Sequence, residues 1–125
     1  MINAFVAGMG SITRLREYEL PIFVHRVGWS FFPRGERVSV APRVLAELTR
    51  LLGADYVQVG SFSPRMFDSD DEVRDQIAGA RDELQGVSRA TAVIGGGVGP
   101  QNAEETLERA GTRDGVMLLY GSAAY

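Results

Sequence analysis

"TAVIGGGVGPQNAEETLERAG", residues 91–111, passes from an apolar, β-branched run through three consecutive glycines into a polar, acidic segment. Residues 91–95 read as a buried strand. Residues 100–111, with Pro100 near the start and Gly111 after the end, read as a helix. Glycine costs backbone entropy on folding, so Gly95, Gly96 and Gly97 together mark unusual dihedrals or a close approach to the backbone. From this stretch alone two readings stay open: a tight turn, and backbone N–H groups at the head of a helix that cradle an anion. A dinucleotide-binding fingerprint is a weaker third, because the spacing Gly95, Gly97, Pro100 lacks its last glycine.

The same strand–loop–helix pattern recurs on both sides. "LPIFVHR" (20–26) reads as a strand, and "APRVLAELTRLLGA" (41–54) as a helix with Val44, Leu45, Leu48, Leu51 and Leu52 on one apolar stripe, ended by Gly53. "DYVQVGS" (55–61) is the next strand and "SDDEVRDQIAGARDEL" (69–84) the next helix, with Ser69 as its cap and Asp70 and Asp71 in its first turn. "DGVMLLYG" (114–121) is a further strand. At the front, "MINAFVAG" reads as the tail of a strand and "SITRLREY" as a short helix. The expected fold class is therefore α/β, one domain over residues 1–125, with about four and a half parallel, right-handed βα units.

That number of units suits a small doubly wound sheet or roughly half of an eight-stranded barrel. A start inside a strand and a stop at "GSAAY", with no covering helix after it, favour the partial (β/α)8 barrel. On that reading strands near residues 1 to 5, 21 to 25, 55 to 60, 91 to 95 and 115 to 120 lie side by side in that order, and one sheet edge is left open and apolar.

Composition limits the partners. The 125 residues are 45% hydrophobic and 23% charged, with a net charge of -3, so the broad positive field of a nonspecific nucleic-acid binder is missing. There is no cysteine, which removes disulfides and thiolate metal sites and fits a reducing compartment. "MINAFVAGMG" has no basic residue ahead of it and is too short for a membrane span, so the default expectation is a cytoplasmic protein that binds neither nucleic acid nor membrane.

In either α/β architecture the ligand sits beyond the carboxyl ends of the strands. His25 and Arg26 end one strand, Gln58 and Ser61 the next, the glycines a third, and Tyr120, Gly121 and Ser122 the last. These ends converge on one face, where exposed amides at a βα turn suit a phosphate.

At these residues the chain resembles a known family. "LPIFVHRVGWSFFPRGERVSVAPRVLAELTRLLGADYVQVGSFSPRMFDSDDEV" is similar to the stretch from the fifth barrel strand to the loop after the sixth in ribulose bisphosphate carboxylase (RuBisCO) large subunits and RuBisCO-like proteins. "MINAFVAGMGSITRLRE" resembles that family's fourth strand and helix, and "AVIGGGVGPQNAEETLERAG" its seventh. The resemblance covers strands 4 to 8, about half of the barrel. It implies that Arg26 grips a phosphate, where a guanidinium fork matches the geometry. It further implies that His25 lies beside substrate hydroxyls and assists proton transfer, and that Gly96, Gly97 and Gly121 hold the other phosphate. Arg65 falls where carboxylating members carry a mobile, substrate-closing lysine.

The departures are informative. Gln58 stands for a phosphate-contacting histidine, Gly95 for a serine and Arg65 for the loop lysine. Arginine does not reproduce lysine's compact ammonium, so the expectation is enolase, isomerase or decarboxylase chemistry on a phosphorylated sugar or keto compound rather than CO2 fixation. The family's Mg2+ is held by a carbamylated lysine and two carboxylates on its second strand, which no segment here resembles. The chain alone is therefore expected to hold no metal and to be inactive by itself. Asp68, Asp70 and Asp71 are read as complementing a helix dipole rather than as metal ligands. Two function classes follow: the C-terminal half of a catalytic barrel, completed by the missing half, or a non-catalytic half-barrel that pairs with a second copy of itself.

Overall fold

The computed structural model describes residues 1–35 and 39–121; Ser122 lies outside them. Five strands form one sheet in the order β1-β2-β3-β4-β5, every neighbouring pair parallel. They are β1 (Ile2–Asn3), β2 (Phe23–His25), β3 (Tyr56–Val59), β4 (Thr91–Gly95) and β5 (Val116–Leu119). The sequential order without a topological switch is that of a barrel, and the doubly wound alternative is excluded. No described helix is long and apolar enough to cross a membrane.

Alternation along each strand divides the side chains between two faces. Val24, Val57, Val59, Ala92 and Ile94 turn to the helix side and form the main core with Leu45, Ala46, Val73, Ile77 and Ala80. The other face carries Phe23, His25, Tyr56, Gln58, Val93, Gly95 and Leu119, as the registers Phe23↔Tyr56, Gln58↔Val93 and Gly95↔Leu119 require. Along the outer edge Met117, Leu119 and Tyr120 are each more than a third exposed, so the expected open apolar edge is present at β5.

The helices are α1 (Ala4–Ala7), α2 (Gly10–Leu15), α3 (Pro42–Leu51), α4 (Asp70–Arg81) and α5 (Ala103–Ala110). Ser69 caps α4 as expected, accepting the Glu72 N–H while the Glu72 carboxylate accepts the Ser69 N–H. Gly111 ends α5 in the left-handed conformation, as its position implied.

Three expectations need correction. The first strand stops at Asn3, whose side chain accepts the Val6 N–H and starts α1, so residues 4–7 are helical rather than extended. On α3 the buried side is Leu45, Ala46, Thr49 and Arg50, whereas Val44, Leu48 and Leu51 of the predicted stripe face outward. The reason is a close α3–α4 crossing: a Cβ on Gly79 would lie 2.7 Å from the Arg43 carbonyl oxygen and 3.2 Å from Ala46 Cβ, so small residues define the contact. Finally, α4 ends at Arg81 rather than near Leu84. There the buried Arg50 guanidinium takes the carbonyls of Gly79, Asp82, Val87 and Ser88, turning the chain back toward β4.

Candidate functional site

The carboxyl ends of the strands deliver all the anticipated site residues to one rim. His25 and Arg26 close β2, Gln58 lies within β3, Gly95 ends β4 before Gly96 and Gly97, and Gly121 follows β5. Two adjoining clefts occupy this rim. One, of about 390 Å3, is lined by His25, Arg26, Arg34, Gln58, Arg65 and Asp68 among others. The second, of about 540 Å3, is lined by Gln58, Ser63, Arg65, Gly96, Gly97 and Gly121 among others. Gln58, Arg65 and Gly96 belong to both, so the two form a continuous trough.

At the glycine end the backbone explains the residue choice. Gly96 has φ +113° and Gly97 φ +70°, a region that side chains rarely adopt. A Cβ on Gly97 would also run into the Ser63 side chain. Two local bonds fix the turn: Asn102 donates its side-chain N–H to the Gly97 carbonyl (2.9 Å) and accepts the Gly99 N–H (2.8 Å). The buried Ser61 hydroxyl donates to the Gly96 carbonyl, tying the turn to the loop after β3. Among the described residues, the N–H groups of Gly97 and Val98 have no protein acceptor. The glycines thus make a turn, and that turn presents amides.

Gln58 lies at the centre of the trough, only 7% exposed, yet its Oε1 has no hydrogen-bond partner. A buried amide without partners costs about 1–3 kcal/mol, and a ligand or water in the trough would relieve that cost. Arg65 is exposed on the loop after β3, its guanidinium without a carboxylate partner among the described residues.

At the other end, His25 accepts the Val27 N–H at Nδ1 (3.1 Å), which leaves the proton of the neutral ring on Nε2. Burial, and then the neighbouring Arg26 charge, lower its pKa, so the imidazole is neutral at pH 7. Arg26 is nearly buried and forms a bidentate pair with Asp68, Nη1 to Oδ2 at 2.9 Å and Nη2 to Oδ1 at 2.8 Å. Its fork is occupied by a carboxylate of its own chain, which sequence reading missed. Nothing in the pattern links two residues 42 positions apart. Sequence reading also missed Arg34, whose guanidinium lies 4.3 Å from the centre of the Phe67 ring.

The other two acidic residues at the start of α4 are engaged elsewhere. Asp70 pairs with Arg109 at 2.6 Å and Asp71 with Arg74 at 2.8 Å, in addition to favouring the helix dipole. For Asp68, burial acts to raise the pKa, but the hydrogen bonds and charge of Arg26, with the Gln76 amide, hold it below the ordinary 3.8. Such a group contributes stability that is present above the unfolded pKa and is lost as pH falls through the lower folded one. The stability difference between the parent and Asp68→Asn is therefore expected to be constant above about pH 5 and to shrink below about pH 4, as read from urea unfolding against pH.

Comparison with known proteins supports the geometry. No family model matches the chain. A ribulose bisphosphate carboxylase-like protein of Allochromatium vinosum is 31% identical over 115 residues, 91% of this chain and 25% of the relative. A second such protein, from Rhodopseudomonas palustris, is 28% identical over 91% of this chain and 27% of its own length. This chain thus spans about a quarter of the curated relatives it matches. Among solved structures, an octameric RuBisCO of Pyrococcus horikoshii superposes with a TM-score of 0.85 at 23% identity, covering 98% of this chain and 30% of that one. A RuBisCO-like protein of Alicyclobacillus acidocaldarius gives 0.80 at 17% identity over 95% of this chain and 30% of its own. Strand order, helix placement and sequence agree: the chain is a homologue of the RuBisCO-like proteins, within the RuBisCO large-subunit family, and corresponds to the C-terminal part of their catalytic barrel.

Proposed function

We propose that the chain forms the C-terminal half of a RuBisCO-like site and binds a phosphorylated sugar or keto compound in the trough at the strand ends. The observation that carries this reading is the convergence at the glycine end of the Gly97 and Val98 amides and of the Arg65 guanidinium, none with a protein partner among the described residues, while the unpaired Gln58 Oε1 beside them is left to accept from a sugar hydroxyl. Together they offer a phosphate several donors and a positive charge in a preformed turn. Gly96 and Gly121 leave the room that a phosphate needs. His25, neutral with Nδ1 held by the Val27 N–H, offers its Nε2–H as a donor to a substrate hydroxyl or carbonyl oxygen and so assists proton transfer there, and Arg26 faces the far end of the same ligand.

The chemistry that fits is enolisation, isomerisation or decarboxylation in the assembled barrel rather than CO2 fixation, because Arg65 replaces the family's lysine. The family's Mg2+ does not fit the described residues. Asp68 is locked by Arg26, Asp70 and Asp71 are held by arginines and do not line the trough, and no group of three His, Asp or Glu side chains converges. The metal ligands would come from the rest of the barrel. The exposed β5 edge supports a second reading, in which the half-barrel pairs with another copy of itself or with the missing half. Octameric and dimeric assemblies among its structural neighbours are in keeping with a homo-oligomer.

Calorimetric titration with fructose 6-phosphate tests the reading. Binding is expected in the high micromolar to millimolar range, and Arg65→Ala is expected to weaken it about tenfold. Because Arg65 is exposed, the thermal midpoint should stay where it is. No heat of binding at millimolar ligand would overturn the proposal.

A further inference from the structure

Asp68 is the one carboxylate among the described residues that lines a trough otherwise furnished with Arg26, Arg34 and Arg65. It is held there by construction. Its two oxygens take both terminal nitrogens of Arg26, and Gln76, fully buried, donates Nε2 to Asp68 Oδ1 at 3.2 Å. Gln76 is itself fixed, donating to the Glu72 carbonyl at 3.1 Å and accepting the Gly60 N–H at 3.0 Å. Gly60 lies against the pair: a Cβ there would come within 2.7 Å of Arg26 Nη1 and 3.0 Å of Asp68 Oδ2. Strand end, ion pair and helix α4 form one buried relay.

A bidentate carboxylate consumes the donor geometry that would otherwise receive a phosphate. An anion arriving at Arg26 also meets the like charge of Asp68 in a poorly solvated corner, where such juxtapositions are unfavourable. We propose that Asp68 is a specificity-determining residue, a resident counter-ion on Arg26 that any second anionic group of the ligand must displace. The far end of the trough therefore discriminates against charge, while the glycine end accepts it. This rests on the reading above, that the glycine end takes a phosphate.

The test compares fructose 6-phosphate with fructose 1,6-bisphosphate by calorimetry at fixed ionic strength, for the parent, Asp68→Asn, and Asp68→Asn combined with Arg26→Gln. In the parent the bisphosphate is expected to bind no tighter than the monophosphate. Asp68→Asn, which keeps the shape and removes the charge, should tighten the bisphosphate about tenfold or more and leave the monophosphate within about twofold. Adding Arg26→Gln should cancel the gain. Asp68→Ser serves as a second variant, and thermal melts establish that each protein is folded. If the parent binds the monophosphate but neither position-68 variant changes the ratio of the two affinities, the inference is overturned while the functional reading stands. Were both position-68 variants unfolded, the pair would be a fold staple rather than a charge filter, and the inference would fall. If the parent binds neither sugar phosphate, the functional reading fails and takes the inference with it.

Discussion

Arg50→Met is expected to lower the unfolding free energy by about 3 kcal/mol, between about a fifth and three-fifths of what a small domain has to lose. Arg50 is 2% exposed on α3 and donates to four carbonyls, those of Gly79, Asp82, Val87 and Ser88. These carbonyls belong to the end of α4 and the chain that follows, which regular structure leaves without partners. Methionine fills much of the space occupied by the arginine stem but offers no donor, so several carbonyls are left to find water in a crowded corner. Urea unfolding of both proteins at one pH reads the difference. A change below about 0.5 kcal/mol would show that solvent already satisfies these carbonyls.

Gly97→Val is expected to damage fold and ligand binding together. Its φ of +70° disfavours any β-branched side chain, and the added Cβ meets Ser63, so a stability loss of about 1–3 kcal/mol follows from backbone strain alone. Relief requires the turn to reshape, which shifts Gly97 and Val98 from their places in the lining of the trough. Phosphate-ester affinity should then fall by more than about tenfold. Calorimetry and urea unfolding on the same variant measure both. Retained binding with lost stability would make the glycines turn formers and nothing more.

The fold was legible in the sequence wherever one unit repeats: apolar strand, loop, amphipathic helix. Ser69, Gly53, Pro100 and Gly111 marked helix ends because capping and termination are local chemistry, complete within a few residues. What the sequence misjudged was set by neighbours in space. The apolar stripe of α3 was misassigned because the partner at the crossing, Gly79, is small, and the buried face is made of Ala46, Thr49 and the stem of Arg50. The site residues came to one rim as anticipated, since parallel strands put all their carboxyl ends on the same side. Their partners did not show. Asp68 reads as a helix-start acid from its surroundings in sequence, and only the fold brings it onto Arg26.

The strictly sequential sheet also governs how the molecule comes apart. Each strand pairs only with its immediate predecessor and successor, and the pairs β1–β2 and β2–β3 have two register positions each against four for each of β3–β4 and β4–β5. Local opening is therefore expected on the β1–β2–β3 side, where the ladders are short, before the longer β3–β4–β5 ladders part. Hydrogen exchange checks this: the amides of Ala92 and Ile94, in the four-position ladders, are expected to exchange more slowly than those of Ile2 and Asn3. The two ends of the trough then differ in how firmly they are held: the glycine end stands on β3, β4 and the turn after β4, whereas the His25 end rests on β1 through the Asn3↔His25 register and on Phe5 beside Gly28, and is expected to loosen with them.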